Sequence, residues 1–354
     1  MRIGIPKEIK PLEGRVGLVP EACVELLRAG HSIVIERGAG LQSGFADEDY
    51  RQIGVSLADE AATVYAESDL IIKVKEPYGP EPEMLRRGQL LFCFLHLAAE
   101  EDLTRRLLAS GVTGIAFETL FDRGGLPILA PMSDIAGRLA VQYGTTLLHR
   151  PEGGKGLLLG GLPAAERGHV VIIGGGQAGG NAARLAAASG ARVTVFDRQR
   201  ERMQAMREIG PNVTGLYPYA HSIERAVSSA DLLIGAVLVP GTRAPHVVSQ
   251  QQIEAMEQGS VVVDISVDQG GCIETTRPTT YEAPTYEVGG VTHFAVTNMP
   301  GAVPRSASQA LSAAIVPYLT PLTDGGWRED TRLASAVNLE AGELVYPALR
   351  EQYL

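Results

Sequence analysis

The sequence predicts an α/β protein with two doubly wound units, each built on a mostly parallel sheet. Short apolar runs typical of buried strands alternate with helical patterns along most of the 354 residues. Residues 169–197 also form a strand–turn–helix–strand segment whose glycines have the spacing GxGxxG. The length suits two domains of roughly 100–200 residues each. A hydrophobic content of 45% and 41 glycines fit two buried cores with many tight turns.

The first third of the chain carries the pattern of parallel strands joined by helices. Apolar or β-rich runs predict strands at Ile3–Ile5, Ser32–Glu36, Leu70–Lys75, Leu90–Leu95 and Val112–Ala116. Helical spacing of apolar residues predicts helices over Glu21–Arg28 and Glu100–Ala109. This stretch lacks a GxGxxG turn, so we do not expect it to be the main nucleotide binder.

The middle of the chain continues the alternation. A long helix is predicted over Ser133–Leu148 with Ser133 as its N-cap, and the glycine- and proline-rich stretch Pro151–Arg167 is predicted to be a loop or hairpin. Further strands are predicted at Val170–Ile173, Arg192–Phe196, Asp231–Val237, Ser260–Ile265 and Thr292–Val296. A final helix, Ser306–Leu319, is predicted to return to the first unit.

The run HVVIIGGGQAGGNAA from His169 to Ala183 is the strongest motif in the chain. Gly174 permits the tight turn, Gly176 lets the backbone approach a pyrophosphate, and Gly179 lets helix and strand pack closely. The following helix N-terminus offers N–H groups to phosphates. Asp197 lies 18 residues after Gly179, near the spacing of a ribose-binding carboxylate, and would repel a 2′-phosphate. The motif therefore predicts a Rossmann-like unit that binds NAD rather than NADP; the alternative is an ordinary glycine-rich turn.

These motifs divide the chain into two domains. A discontinuous substrate domain is predicted over residues 1–130 and 300–354, and an NAD-binding domain over residues 131–299. We expect the active site in the cleft between them, because ligands of α/β sheets bind at the carboxyl ends of the strands.

The composition excludes several classes of function. The net charge of −10 argues against a nucleic-acid partner. Cys23, Cys93 and Cys272 have no metal or CxxC spacing, so we expect no metal site and a reducing, cytoplasmic setting. The first residues do not read as a signal peptide, and no apolar run approaches the ~20 residues of a membrane span. We therefore expect no membrane partner.

Arg15 and two lysines are candidate substrate ligands. Arg15 lies in a glycine-flanked loop after the first strand, where a guanidinium can hold a carboxylate bidentately. Lys73 and Lys75 end a predicted strand, and alternation along that strand places both on one face. The alternatives are a solvated surface arginine and solvated charges at a strand end.

His96 and two aspartates are candidates for proton transfer. His96 follows an apolar strand, and an imidazole can give and take a proton near neutral pH. Asp264 and Asp268 close another apolar strand, and Asp268 precedes a Gly-Gly turn where a carboxylate could activate a water. The alternatives are a satisfied core histidine and a turn-capping aspartate.

The ordered set of motifs resembles the alanine dehydrogenase family over residues 1 to about 320. The resemblance rests on GIPKEIK, RVGLVP, IKVKEP, LHLAAE, GVTGIAFET, APMSDIAGR, GGKGLLLGG, VVIIGGGQAGGNAA, ADLLIGAVLVPG, VDQGGCIETTRPTT and NMPGAVPRSAS. It implies that Arg15 and Lys75 hold the substrate carboxylate and its carbonyl or imine. It also implies that His96 is the acid/base and that Asp268 orients the water that hydrolyses the imine.

The same resemblance implies a set of residues that contact the cofactor. They are Ser133, Gly174, Gly176, Gln177, Ala178, Gly179, Asp197, Arg202, Val237, Leu238, Ile265, Ser266, Val267, Asp268, Asn298, Met299, Pro300 and Gly301. The reaction implied is oxidation of L-alanine by hydride transfer to NAD, followed by hydrolysis of the imine to pyruvate and ammonia. A homohexamer and a hinge motion on substrate binding are also implied.

Three segments depart from the pattern of that family. The glycine turn reads GGGQAGGNAA, where the family usually has two apolar residues and Gly-Thr after the third glycine. Tyr281 stands where histidine is common, and NLEAGELVYP lacks the usual Asn-Thr-His run. These departures bear on substrate choice and on any metal near the C-terminal segment. Three alternatives stay open: a transhydrogenase-type NAD-binding module, an opine dehydrogenase similar to carboxyethylornithine synthase, and an inactive NAD-binding paralogue.

Overall fold

A computed structural model describes residues 1–239 and 244–353. The chain forms two compact units. Unit 1 comprises Met1–Met132 and the segment that begins at Gly301, and unit 2 comprises Ser133–Pro300. The predicted fold class, two α/β units with mostly parallel sheets, is confirmed. The assignment of substrate to one unit and cofactor to the other stays a prediction.

Within the described residues, unit 1 contains an eight-stranded sheet. Strands are numbered along the chain: β1 Arg2–Ile5, β2 Ser32–Glu36, β3 Ser56–Ala58, β4 Leu70–Ile72, β5 Leu90–Cys93, β6 Thr113–Ala116, β14 Val337–Glu340 and β15 Glu343–Leu344. Their order is β15-β14-β6-β5-β4-β1-β2-β3, with β14 and β15 antiparallel and the others parallel. The winding direction reverses between β1 and β4, so the loops that follow these two strands diverge.

Unit 2 repeats this plan with seven strands in its described part. They are β7 His169–Ile173, β8 Arg192–Phe196, β9 Val213–Leu216, β10 Leu232–Gly235, β11 Val261–Asp264, β12 Thr285–Val288 and β13 Val291–Phe294. The order is β12-β13-β11-β10-β7-β8-β9, and only β12 runs antiparallel to its neighbour. Its winding reverses between β7 and β10, where the glycine turn leaves the sheet.

Helices cover both sheets. In the first stretch of unit 1 they are α1 Pro20–Arg28, α2 Asp47–Gln52, α3 Ala61–Glu67, α4 Glu81–Met84 and α5 Glu101–Ser110. Most of α6, Ala130–Leu147, lies in unit 2, which also holds α7 Gln177–Ala188, α8 Arg200–Arg207, α9 Ala220–Ser228 and α10 Gln250–Glu254. Unit 1 then resumes with α11 Pro304–Thr323, α12 Thr331–Ser335 and α13 Pro347–Tyr353. None of the helices in the described residues has the length and hydropathy needed to span a bilayer.

Two local predictions were wrong. Ser133 is not an N-cap: α6 begins at Ala130, because Pro131 is tolerated in the first turn of a helix, where its missing N–H has no partner to lose. The strand predicted over Leu70–Lys75 ends at Ile72, so alternation does not place Lys73 and Lys75 on one face. Lys73 is fully buried rather than a solvated strand-end charge.

Serines on α11 bind the C-terminal segment of unit 1 to the N-terminal stretch of the same unit. Ser308 Oγ accepts a hydrogen bond from the Val16 amide at 3.0 Å, and Ser312 Oγ accepts one from the Val19 amide at 3.0 Å. Both serines are buried, and Ser312 also donates to the carbonyl of Gly17. They satisfy main-chain groups of the loop between β1 and α1 that would otherwise be buried without partners.

Ser312→Ala is expected to lower the free energy of unfolding by about 1–3 kcal/mol, because it leaves the buried Val19 amide without its acceptor. Urea unfolding measures this loss, with Ser306→Ala, an exposed position in the first turn of α11, as the control. Equal stability of the two variants would contradict the role assigned to Ser312.

Candidate active site

The three candidate substrate residues of unit 1 follow neighbouring parallel strands. Arg15 lies in the loop after β1, Lys75 follows β4, and His96 follows β5. Because β1, β4 and β5 are adjacent and parallel, these residues come to one edge of the sheet. That edge includes the point where the winding reverses, which is where α/β sheets bind ligands.

Arg15 is buried rather than solvated, with 2% of its surface exposed. Its Nε donates to Glu13 Oε1 at 2.7 Å and its Nη2 to Glu13 Oε2 at 2.5 Å, while Nη1 lies 3.1 Å from the sulfur of Met132. The Arg15 amide also donates to Glu13. The Nε–Nη2 edge is therefore held by a carboxylate.

A buried ion cluster lies where β4 ends. The Lys73 ammonium donates to Glu8 Oε2 at 3.2 Å and to Glu81 Oε1 at 2.8 Å. Tyr65 donates its hydroxyl proton to Glu81 at 3.0 Å. Burial disfavours the charge of Lys73, but the two carboxylates outweigh this and raise its pKa. Two carboxylates share one ammonium, and burial raises the pKa of Glu8 to about 7.

Glu76 follows Lys75 and is buried, with 3% exposed. It pairs with the Lys10 ammonium, while its Oε2 has no hydrogen-bond partner among the described residues. Burial would raise its pKa, but the positive fields of His96, Lys75 and Lys10 outweigh burial and hold it below the usual value. Glu76 thus supplies a negative charge close to the candidate cationic groups of the site.

The backbone at His96 is held in an unusual conformation. His96 has φ of 50°, in the left-handed region that residues with a Cβ rarely adopt. The Glu118 carboxylate accepts hydrogen bonds from the amides of Leu95, at 3.1 Å, and His96, at 2.7 Å. The imidazole is stacked on Phe94, with centroids 5.7 Å apart and planes within 6°. These contacts fix the direction in which the half-buried imidazole leaves the sheet.

The glycine turn of unit 2 has the geometry that its sequence predicts. Gly174 has φ of 102°, and an added Cβ would lie 2.4 Å from the carbonyl oxygen of Ala236. A Cβ on Gly179 would lie 1.8 Å from the carbonyl oxygen of Gly174, so only glycine allows α7 to approach the strand. At Gly176, by contrast, the nearest atom would be 3.6 Å away, on Arg202. The first turn of α7 begins there with no side-chain cap, so its amides suit a pyrophosphate.

Asp197 is buried at the end of β8 and faces this turn. Its carboxylate accepts hydrogen bonds from the amides of Gly175 and Gln199, both at 2.8 Å, and lies 3.4 Å from Nη1 of the exposed Arg202. These bonds fix the carboxylate beside the turn, as a ribose-binding acid requires. The residues present therefore fit NAD.

The first turn of α7 is also tied to α6. Asp134 Oδ1 accepts hydrogen bonds from the side-chain amides of Gln177 and Asn181, both at 2.6 Å. Gly137 makes this possible, because a Cβ there would lie 2.1 Å from the carbonyl oxygen of Ala178. Close packing of the two helices thus positions the phosphate end of the turn.

The loop after β11 is organised around Asp264, which is 1% exposed. Its carboxylate accepts hydrogen bonds from the amides of Ser266, Cys272 and Ile273 and from the hydroxyl of Thr276. The loop presents Asp268 at the surface, and Asp268 accepts from the Asn298 amide at 3.3 Å. Asp264 is therefore structural, whereas Asp268 is exposed to a ligand.

The departure at Tyr281 has a structural role. Its hydroxyl donates to the Met299 carbonyl at 2.9 Å, and its ring lies against those of Tyr143 and Phe294. Burial and the neighbouring Tyr143 raise the pKa of Tyr281, so it remains a neutral donor. Tyr281 and Asp268 together hold the loop around Asn298, whose φ is 59°.

The remaining candidate cofactor residues are placed as follows. Ser133 lies half-buried in α6, and Val237 and the exposed Leu238 follow β10. Ile265, Ser266 and Val267 form a 3₁₀ turn after β11, and Met299, Pro300 and Gly301 form another, with Gly301 assigned to unit 1. Pro240 and Gly241 of the motif ADLLIGAVLVPG lie outside the described residues. In the part of the chain described, no group of three or more His, Cys, Asp or Glu is arranged to hold a metal ion.

Four glutamates that are buried or half-buried in unit 1 have no role in the sequence-based prediction. Glu8, Glu13, Glu76 and Glu118 each lie within or beside a quoted motif, but none was assigned a role. These glutamates could have been found from the sequence as acidic residues next to a candidate ligand in a largely apolar or glycine-rich segment.

Two family models cover nearly the whole chain. "Alanine dehydrogenase/PNT, N-terminal domain" matches residues 4–136, and "Alanine dehydrogenase/PNT, C-terminal domain" matches residues 140–347. The chain belongs to the alanine dehydrogenase/PNT family. It is 45% identical to an alanine dehydrogenase of Halomonas elongata, over 100% of this chain and 97% of the relative. It is 44% identical to that of Bacillus subtilis, over 99% and 94% respectively.

Solved structures of this family give the same result. A structure of an L-alanine dehydrogenase superposes with a TM-score of 0.95 at 48% identity and covers 100% of this chain and 99% of its own. A transhydrogenase structure from Sinorhizobium meliloti superposes with a TM-score of 0.85 at 26% identity and covers 98% and 100%. The first of these two is closer in both sequence and structure.

Gly179→Ala is expected to abolish tight NAD binding, because the new Cβ would collide with the Gly174 carbonyl and displace the turn. Gly180→Ala is the matched control on the same helix. Its Cβ would meet only side-chain ends, at 3.4 and 3.5 Å, so NAD binding should be retained and the helix stabilised by up to about 1 kcal/mol. Calorimetric titration with NADH measures both. Similar affinities for the two variants would contradict the role assigned to Gly179.

Glu8→Gln is expected to change how stability depends on pH. A carboxyl whose pKa is about 7 when folded and about 4.5 when unfolded makes the wild type lose stability as pH rises between those values. The charges facing it are Lys73, Glu81 and Glu13. Glutamine does not titrate, so the variant should gain roughly 3 kcal/mol relative to wild type from pH 4.5 to 7, since a tenfold change in proton affinity is about 1.4 kcal/mol.

Urea unfolding at pH 5 and pH 8 measures this difference. Glu83→Gln, at an exposed carboxylate of α4 that pairs with Arg106, is the control and should show no such gain. If the free energies of unfolding of wild type and Glu8→Gln differed by the same amount at both pH values, Glu8 would not titrate in this range.

Proposed function

We propose that this protein is an NAD-dependent L-alanine dehydrogenase that interconverts L-alanine with pyruvate and ammonia. The observation that carries the proposal is the full-length likeness to proteins of that name, at 44–48% identity. Each residue implied in the reaction, Arg15, Lys75, His96 and Asp268, stands at the carboxyl end of a parallel strand or in the loop that follows it.

Substrate binding is assigned to unit 1. The Arg15 guanidinium, held by Glu13, would bind the substrate carboxylate. The Lys75 ammonium would donate to the carbonyl oxygen of pyruvate or to the corresponding nitrogen of the imine. Glu76 offsets part of the positive charge that these groups bring together. Hydrogen bonds to the carboxylate and to the carbonyl or imine would thus orient the substrate.

The cofactor is assigned to unit 2, where the glycine turn would bind the pyrophosphate and Asp197 the adenosine ribose. When bound, NAD accepts the hydride from Cα of alanine at its nicotinamide ring. Ser133, Gln177, Arg202, Leu238 and the loops around Asp268 and Met299 would complete the cofactor site.

Proton transfer is assigned to His96 and Asp268. The amine of alanine must lose a proton as its Cα–H bond breaks, and a neutral imidazole can accept it. Loss of the hydride leaves an iminium, and the imidazolium releases its proton to solvent. Water then adds to the iminium carbon and gives a proton to the neutral imidazole, which passes that proton to the nitrogen. Ammonia leaves as the C=O bond forms, and the remaining hydroxyl proton goes to solvent. Asp268 would orient this water, because its carboxylate is exposed and fixed by the Asn298 amide.

Three further attributes are proposed for this protein. A cytoplasmic setting, where thiols stay reduced, is supported by the three buried cysteines, none of which forms a disulfide. A homohexamer and a role in amino-acid catabolism rest on the family resemblance alone. A transhydrogenase-type module is disfavoured by the lower identity of 26% to the transhydrogenase structure.

His96→Ala is expected to lower the rate of alanine oxidation by about 10²–10⁴-fold, since general acid–base catalysis typically contributes that much. NADH absorbance with purified protein, NAD and L-alanine measures it. His221→Ala, at a side chain that is 86% exposed, is the control. A wild type that oxidises other amino acids but not alanine would overturn the proposed substrate, and an active His96→Ala variant would overturn the proposed base.

A further inference from the structure

The carboxylate of Glu8 holds the main chain beside the candidate substrate lysine. Glu8 lies after β1, and its Oε1 accepts hydrogen bonds from the amides of Val74 at 2.6 Å and Lys75 at 3.4 Å. Its Oε2 accepts from the Lys73 ammonium at 3.2 Å. One side chain, from the loop after β1, therefore accepts hydrogen bonds from three successive residues after β4.

Further hydrogen bonds hold the Glu8–Lys73 pair in place. Lys73 is fully buried and also bonded to Glu81, which accepts the Tyr65 hydroxyl and the Tyr78 amide, the latter at 2.7 Å. The Glu8 carboxylate thus connects the end of β1 to α3, α4 and the loop between β4 and α4. Because these contacts restrict the Glu8 side chain to one position, Glu8 can fix the main chain of Lys75.

We propose that Glu8 is a positioning residue for substrate binding, which holds the Lys75 main chain so that the ammonium of Lys75 meets the substrate. The inference rests on the proposed function, in which Lys75 binds the carbonyl or imine of the substrate. Glu8 itself touches neither substrate nor cofactor.

The two faces of Glu8 explain why a carboxylate is needed there. One oxygen faces two N–H donors and the other faces an ammonium, so both positions require an acceptor. Glutamine of the same size offers one oxygen and one NH₂ group. Whichever way it turns, a donor faces a donor, and either the Val74–Lys75 amides or the Lys73 ammonium loses its partner. The variant nevertheless leaves Lys73 and Glu81 as a balanced buried pair, which favours folding.

The test compares wild type, Glu8→Gln and the control Glu83→Gln in both reaction directions at pH 8.5, where the Glu8 carboxyl, with a pKa of about 7, is ionised. For Glu8→Gln we expect KM for alanine and for pyruvate to rise on the order of tenfold, with KM for NAD and NADH within twofold of wild type. Amide hydrogen exchange at Val74 and Lys75 should accelerate in Glu8→Gln and stay unchanged in Glu83→Gln. Thermal unfolding confirms that both variants are folded at the assay temperature.

Each outcome separates this inference from the proposed function. Unchanged KM values for alanine and pyruvate, or an equal rise in the KM for NAD, would overturn the positioning role and leave the alanine dehydrogenase activity standing. A wild type without activity on alanine would overturn the proposed function and this inference with it. A rise in the KM for alanine and pyruvate alone, together with faster amide exchange at Lys75, supports the inference. A merely structural role would not change the KM for these substrates without changing the KM for NAD and NADH.

Discussion

The constraint on which both units depend is that main-chain amides at the carboxyl ends of parallel strands need acceptors once the strand ladder stops. Buried or half-buried carboxylates supply them. Glu8 and Glu118 do so after β4 and β5 of unit 1, and Asp197 and Asp264 accept the amides of turns around β7, β8 and β11 of unit 2. An amide left without such a partner in these loops would cost about 1–3 kcal/mol. The carboxylates therefore determine the paths of the loops that carry the candidate ligands.

Acids used in this way also set the electrostatics of unit 1. The candidate substrate ligands are cationic, and cations gathered at one sheet edge would repel one another. Glu13 pairs with Arg15, and Glu76 lies in the field of Lys75 and His96. The positive groups are thus partly neutralised before a substrate binds. In the proposed site, a carboxylate substrate would be recognised by directed hydrogen bonds more than by net charge, which suits discrimination among small acids.

Periodicity and glycine spacing were sufficient to predict the fold class and most strands. The runs that became β2 and β8 have the predicted limits, because the interior of each consists of β-branched residues, which favour strands. Short elements such as α4 and β9 were not predicted, since four residues carry too little periodicity. The glycine turn was predicted in detail because Gly174 and Gly179 each answer a local steric requirement that the glycine spacing displays.

The buried acids and Lys73 were harder to predict for a physical reason. A charged residue at a strand end has the same sequence signature whether it points to solvent or into a cluster, and solvation is the commoner outcome. Only the parallel pairing of β1 with β4 brings Glu8 to Lys73, which lie 65 positions apart in the sequence. Burial of Lys73 then requires its two carboxylate partners, and Glu8 reaches it only by spanning the amides beside Lys75. The same contact that makes the buried lysine tolerable thus orders the backbone of the candidate substrate lysine.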